Sequence, residues 1–407
     1  MIPKDFPGKG RVALIRTKPE TVLDDYQRLL HLAGYEASLP KDKETLLKIN
    51  ISWQQWYPAC STAPWQLEGV VRTLLEDGYK DLIAAHNRTV VVNAYVGERN
   101  NKHKLVVDKY GLRNVHLYEP EIEWVVYEPR TPMLVLDKVY PDGIRIPSFF
   151  FDKNIVQLPT VKTHVFTTIT GAMKNAFGGL LSERRHWTHA VIHETVVDLL
   201  AIQQEIHSGL FAVMDGTFAG DGPGPRAMWP LERDLILASS DQVAIDAVSA
   251  YLQGFEPMEL AFIRLAHEQG LGIGDFQQIE VVGDIDPDEV RWNARTGETF
   301  ASWGQKQIYH GPLKPFENVL LRSPIVPWSY TASRAYYDGF WYPFIGNQRV
   351  EEALNTKWGR LFANYGDVPA MTKPLYEPKT AATAGLLGIA ASALALWWLA
   401  NKGRKKS

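Results

Sequence analysis

The sequence predicts an α/β fold: a two-lobed body with mainly parallel sheets and crossover helices, followed by a C-terminal transmembrane helix. Three observations predict it. Strand-length apolar runs alternate with helix-length amphipathic stretches as far as about residue 285. Glycine and proline stand where those helices should start and stop. Near the C-terminus, Ala381 to Ala400 carries no charge, over about the 20 residues a bilayer crossing needs.

The elements follow in order. "RVALIRT" reads as a strand and "ETVLDDYQRLLHLAG" as a helix closed by Gly34. "ETLLKINIS" is a strand, and "APWQLEGVVRTLLEDG" a helix with Pro64 near its start and Gly78 at its end. "DLIAAHN" is a strand, "KHKLVVDKYG" a helix and "NVHLYE" a strand. The rhythm resumes with the strand "NIVQLP" and the helix "THAVIHETVVDLLAIQQEIH", for which Thr188 is the expected N-cap. "LFAVMDG" and "LILASS" are strands, "DQVAIDAVSAYLQG" and "ELAFIRLAHEQGLG" helices, and "QIEVVGD" a last strand. The expected division is an N-terminal lobe at 1–150, a second lobe at 151–285, an aromatic-rich extension at 286–375 and an anchor at 381–400. Within the extension, "PWSYTASRAYYDGFWYPF" reads as irregular or short-helical.

Composition narrows the function. The chain has 407 residues, 45% hydrophobic and 22% charged, which supplies a sizeable core. A net charge of -3 gives no field to recruit nucleic acid, so none is expected as a partner. Cys60 is the one cysteine, which excludes an intrachain disulfide and an iron-sulfur cluster held by this chain alone. The start "MIPKDFPGKGRVALIR" has no apolar segment of signal-peptide length. The expected location is therefore the membrane, through a single C-terminal pass, with the main domain cytoplasmic. Ala384, Gly388 and Ser392 recur every four residues in the anchor and suit a helix partner or a homodimer.

The chemistry concentrates at strand ends, where open α/β sheets bind ligands. "VKTHVFTTITGAMKNAFGG" leaves a strand, so Lys162, His164 and Thr170 should project at the sheet edge. "TGAMKNAFGG" opens a helix whose first N–H groups are expected to face an anion, with Lys174 and Asn175 in its first turns. His86 closes "LIAAH", and Asp215 is expected at the end of "LFAVMD", with "GTFAGDGPGPR" as a shaped loop. Lys48 and Asn50, in "KINIS", flank another strand-to-helix passage. His189 and His193 are four apart and share a helix face, but the zinc-protease glutamate spacing is absent. Phosphate-loop, dinucleotide-loop and nucleophile-elbow motifs are also absent.

The run "KTHVFTTITGAMKNAFGG", then His189, Asp198, "MDG", "GDGPGP" and "LILASSDQVAIDAV", resembles the family catalogued as domain of unknown function 362. "KIN" with "STAP" is similar to its N-terminal K-P-N and T-x-P pattern, with Ile49 in place of proline. A more distant similarity is to the nickel-pincer lactate racemases. It rests on His164 nine residues before Lys174 in "TGAMK", followed by His189, and on "IAAH" at His86. Met173 departs from their pattern, which has arginine there. That resemblance implies His86 and His164 as an acid/base pair, Lys174 as cofactor anchor and His189 as metal ligand. The cofactor it implies is a nickel-pincer nucleotide, or another metal or nucleotide. Lys48, Asn50, Lys162, Thr170, Lys174 and Asn175 are the expected cofactor-binding set, with His86, His164, Lys174 and Asp215 catalytic. The expected activity is proton or hydride transfer beside a carboxylate or carbonyl, of the racemase or oxidoreductase kind. The rival expectation is a non-catalytic scaffold or binding subunit tethered to a membrane complex.

Overall fold

The computed structural model describes residues 5–87, 91–317, 331 and 333–366. Its strands are β1 (Arg11–Arg16), β2 (Thr45–Ile49), β3 (Leu82–His86), β4 (Arg113–His116), β5 (Trp124–Tyr127), β6 (Ile144–Pro147), β7 (Asn154–Leu158), β8 (Thr160–His164), β9 (Thr168–Ile169), β10 (Gly209–Asp221), β11 (Trp229–Ser239) and β12 (Glu280–Gly283). Ten of them make a sheet in the order β12-β1-β11-β10-β7-β2-β3-β4, with β8 beside β10 and β9 beside β8. The sheet is mixed and mainly parallel. β11 runs against both its neighbours, and β9 runs against β8. β5 and β6 form a separate hairpin.

β2, β3 and β7 are buried along their whole length. This is what near-continuous apolar runs become when helices cover both faces of a sheet. On one face Val22–Ala33 packs against Pro64–Glu76. On the other lie Ile192–Ile206, Gln242–Leu252 and Ala261–Glu268. Gly34 ends the first helix in the left-handed conformation (φ 67°), which glycine adopts without strain.

The structure departs from the sequence expectations at three places. The two expected lobes share one sheet: β1 lies between β11 and β12, and β7 pairs with β2. Local periodicity fixes each strand but not its neighbours, which long-range pairing decides. Second, Thr188 does not cap the long helix. A 3-10 segment, Glu183–Val191, precedes it, and Thr188 Oγ1 instead donates to Arg185 O (2.8 Å). Third, Asp215 is not at a strand end. β10 continues to Asp221, because its second half finds new partners in β8 and β11.

The aromatic segment forms a wide π-helical stretch, Ala335–Gly346, that closes one core cluster. Trp53 meets Tyr342 edge-on with centroids 4.9 Å apart, and Trp56 stacks on Phe362 at 4.0 Å. The buried Lys102 ammonium donates to the carbonyls of Phe362, Ala363 and Tyr365, the exposed end of the last described helix. Among the described residues, no helix is long and apolar enough to cross a membrane. The expected anchor at 381–400 lies outside them.

Candidate functional site

The carboxyl ends of β2, β3, β4 and β8 meet at one edge of the sheet, and three lysines converge there. Lys48 is 1% exposed, and its ammonium donates to Ile49 O (2.9 Å) and Asn87 Oδ1 (3.0 Å). Burial, with the nearby Arg185 charge, pulls its pKa down to about 7. Lys162 donates to Cys60 O and Thr160 Oγ1, and burial brings it to about 8. Lys174 is half-buried, with its ammonium 5.6 Å from the centroid of the Phe177 ring. Burial first, then Lys162 and Arg185, bring it to about 7.

Beside them is a cavity of about 380 Å³, lined by Asn87, Tyr118, Gly179, Ser182, Arg184 and Arg185. Gly179 has a φ of 126°, and a Cβ there would stand 2.9 Å from Lys48 Cε. The chain can pass over the lysine only as glycine. Arg185 is 8% exposed and lines the cavity, while its charge reaches both Lys48 and Lys174.

The amides expected to face a ligand anion are already taken by a side chain of the protein. Ala172 N and Met173 N donate to the Asp246 carboxylate at 2.6 and 3.1 Å. A Cβ on Gly171 would stand 2.2 Å from Asp246 Oδ1. Burial raises the Asp246 pKa to about 8 against those two bonds. Asp246 therefore positions the turn that carries Lys174.

Asn175 joins strands β2 and β7 and the residue that follows β2. Its amide donates to Lys48 O (2.9 Å) and Gln157 Oε1 (2.8 Å) and accepts from Asn50 Nδ2 (3.1 Å). Thr170 Oγ1 donates to Lys162 O (3.2 Å). Asn50, Asn175 and Thr170 thus hold the lysine-bearing strands in register.

His164 and His189 flank Lys174 and differ in tautomer. His164 Nδ1 accepts from Phe166 N (3.1 Å), so the neutral ring carries its proton on Nε2. His189 Nδ1 lies 3.1 Å from His186 O and must donate, leaving a lone pair on Nε2. His189 stacks on Tyr309 and meets Phe166 and Phe177 edge-on. Burial, then Lys174, hold both rings neutral, with His189 at about 3.

Two expected residues lie elsewhere. Asp215 is buried and accepts from Tyr26, Trp65 and Thr217, on the face of the first two helices. Burial raises its pKa while these bonds pull it down. It belongs to the core because β10 runs on past it to Asp221, which leaves Asp215 inside the sheet and short of its edge. His86 is fully buried in another group, with Glu98 and His116. Burial lowers His86 to about 3. Burial raises the Glu98 carboxyl, but His116, Asn114 and His86 outweigh it and bring it to about 2. His86 and His164 thus fall into separate clusters. Arg184, Arg185, Glu98, His116 and Asp246 were not legible as site residues. The adjacent arginines of "SERRHW" were the one local signal.

The sequence pattern of a family described as Domain of unknown function (DUF362) matches residues 45–251. A protein of Synechocystis sp. named thylakoid-associated protein is 26% identical over 122 residues, covering 29% of this chain. The match spans 37% of that relative's length. A crystal structure of a Thermotoga maritima protein aligns with a TM-score of 0.33 at 14% identity, over 53% of this chain and 55% of that one. That likeness is too distant to argue from.

Proposed function

The chain belongs to the DUF362 family, and we propose from its cationic sheet edge that it is an enzyme of proton transfer acting on a small carboxylate. One observation carries this reading: the buried Lys48 and the half-buried Lys174 both lie within reach of the charge of Arg185, which lines the cavity, and burial with neighbouring charge lowers the pKa of each to about 7. A lysine in water is protonated at neutral pH and cannot act as a base. Desolvation and like charge leave such an amine half neutral, poised to give or take a proton. Gathering these cations is costly for folding, and perturbed groups of this kind cluster at functional sites.

In this reading Arg184 and Arg185 hold the substrate carboxylate, for which guanidinium has matching geometry. Lys174 transfers the proton at the neighbouring carbon. His164 Nε2–H and His189 Nε2 supply a donor and an acceptor of fixed sense. Proton transfer is favoured over hydride transfer because Lys48, Lys174 and the two histidines can each carry a proton. The donor set also fits a pincer nucleotide of the kind the resemblance implies, with Lys174 as the amine and His189 Nε2 as the metal ligand. Such a group supplies hydride-acceptor chemistry when bound. The name of the Synechocystis relative and the apolar run at 381–400 support a membrane-associated location.

The test uses the purified full chain in D₂O with a panel of small 2-hydroxy and 2-amino carboxylates. Loss of an α-proton NMR signal that depends on the protein is expected for at least one. No exchange across the panel, with no bound molecule seen by native mass spectrometry, contradicts the enzyme reading and favours a scaffold.

A further inference from the structure

We propose that His86, Glu98 and His116 form a binding site for one divalent transition-metal ion of the zinc type. The three come from separate elements. His86 and His116 end β3 and β4 and stand opposite each other in register. Their rings stack with centroids 5.2 Å apart and planes 18° apart. Glu98 comes from the helix Ala94–Asn100. The site is distinct from the group that contains Lys174, and it stands whether or not the proton-transfer reading does.

Distance is the first argument. His86 Nε2 and His116 Nε2 lie 3.3 and 3.4 Å from Glu98 Oε2, and all three ligand atoms fall within 4.8 Å of one another. Ligands about 2.0–2.1 Å from a tetrahedral ion stand about 3.3–3.4 Å apart. The ion fits with little movement of the two ring–carboxylate pairs.

The unpaired atoms are the second, independent argument. Among the described residues, both ring nitrogens of the fully buried His86, and His116 Nε2, have no hydrogen-bond partner. Glu98 Oε2 is within reach of both Nε2 atoms, yet neither contact is aligned as a hydrogen bond. Buried polar atoms are rarely left so, and a bound ion is one of the few explanations. The carboxylate is held in turn by Asn114 Nδ2, which donates to Oε2 at 3.0 Å. Metal-bound carboxylates usually have such an outer partner. The neighbouring His103 donates from Nε2 to Thr62 O, and its Nδ1 is also buried and unpaired.

Two histidines and one carboxylate leave a coordination position open, as in catalytic rather than structural sites. Asn87, Leu117 and Tyr118, the residues that follow His86 and His116, line the 380 Å³ cavity. The ion would stand behind that cavity's wall.

The full chain, stripped with chelator and dialysed, is titrated with Co²⁺ and then with Zn²⁺. One equivalent of Co²⁺ with tetrahedral visible absorption, bleached by zinc, is expected. Glu98→Gln preserves volume and should weaken binding at least 10–100-fold, the loss an outer partner's removal causes. The exposed His31→Ala should bind as the parent does, which excludes surface histidines as the source. Circular dichroism establishes that each variant is folded. A folded parent that binds no Co²⁺, or a folded Glu98→Gln that binds it unchanged, overturns the proposal.

Discussion

Replacing Asp215 with alanine is expected to lower the stability of the chain by about 3–5 kcal/mol, among the largest effects of a single truncation. The carboxylate accepts from Tyr26 Oη at 2.7 Å, Trp65 Nε1 at 3.0 Å, Thr217 Oγ1 at 2.8 Å and Thr217 N at 3.1 Å. All four donors are buried, so truncation strands them away from water. Each stranded donor costs about 1–3 kcal/mol before relaxation. Asp215→Asn keeps the shape but turns an amide N–H toward these donors, and should cost less. Urea denaturation of the two variants measures both. An Asp215→Ala chain that is as stable as the parent but inactive would return Asp215 to the catalytic set.

Lys174→Met is expected to remove carboxylate α-proton exchange by about 10²–10⁴-fold, the range of a lost general acid or base. Methionine matches the lysine stem closely, so the fold should survive. Lys174→Arg should be nearly as inactive, because a guanidinium stays protonated and offers no lone pair. The NMR exchange assay in D₂O reads both. An arginine variant that keeps most of the rate shows that Lys174 supplies only charge, and moves the proton carrier to Lys48 or the histidine pair.

Strands β1 to β4, β7 and β10 to β12, with the long helices between them, were legible because each rests on local pattern, whereas the short β5, β6, β8 and β9 were not read from the sequence. "TLLKI" and "LIAAH" are short, mainly apolar runs, and Gly34 and Pro64 mark helix ends. Their pairing was not, since nothing within β1 says that it inserts between β11 and β12. The same division holds at the site. Lys48, Lys162, Lys174, His164 and His189 stand out as polar residues at the ends of apolar runs. Asp246 looks like any mid-helix aspartate until its partners, 74 and 73 residues away, are seen. Glu98 and His116 gain meaning only through the register of β3 with β4 and the helix laid across it. Asp215 misled because strand β10 outruns the apolar stretch that predicts it: "GTFAGD" pairs on both sides although glycine weakens strands.

Lys174 and Lys48 should be neutral amines in part at physiological pH. Competitive labelling of the native full chain with an amine-reactive reagent, read by peptide mass spectrometry across pH 5 to 11, measures this at each lysine. A lysine with a lowered pKa becomes nucleophilic as pH rises through that value. For Lys174 the labelling midpoint should fall at about 7, well below the value of about 10.4 for a lysine in water. A Lys174 midpoint at the value of a lysine in water would show that its ammonium keeps the ordinary charge and supplies no neutral amine.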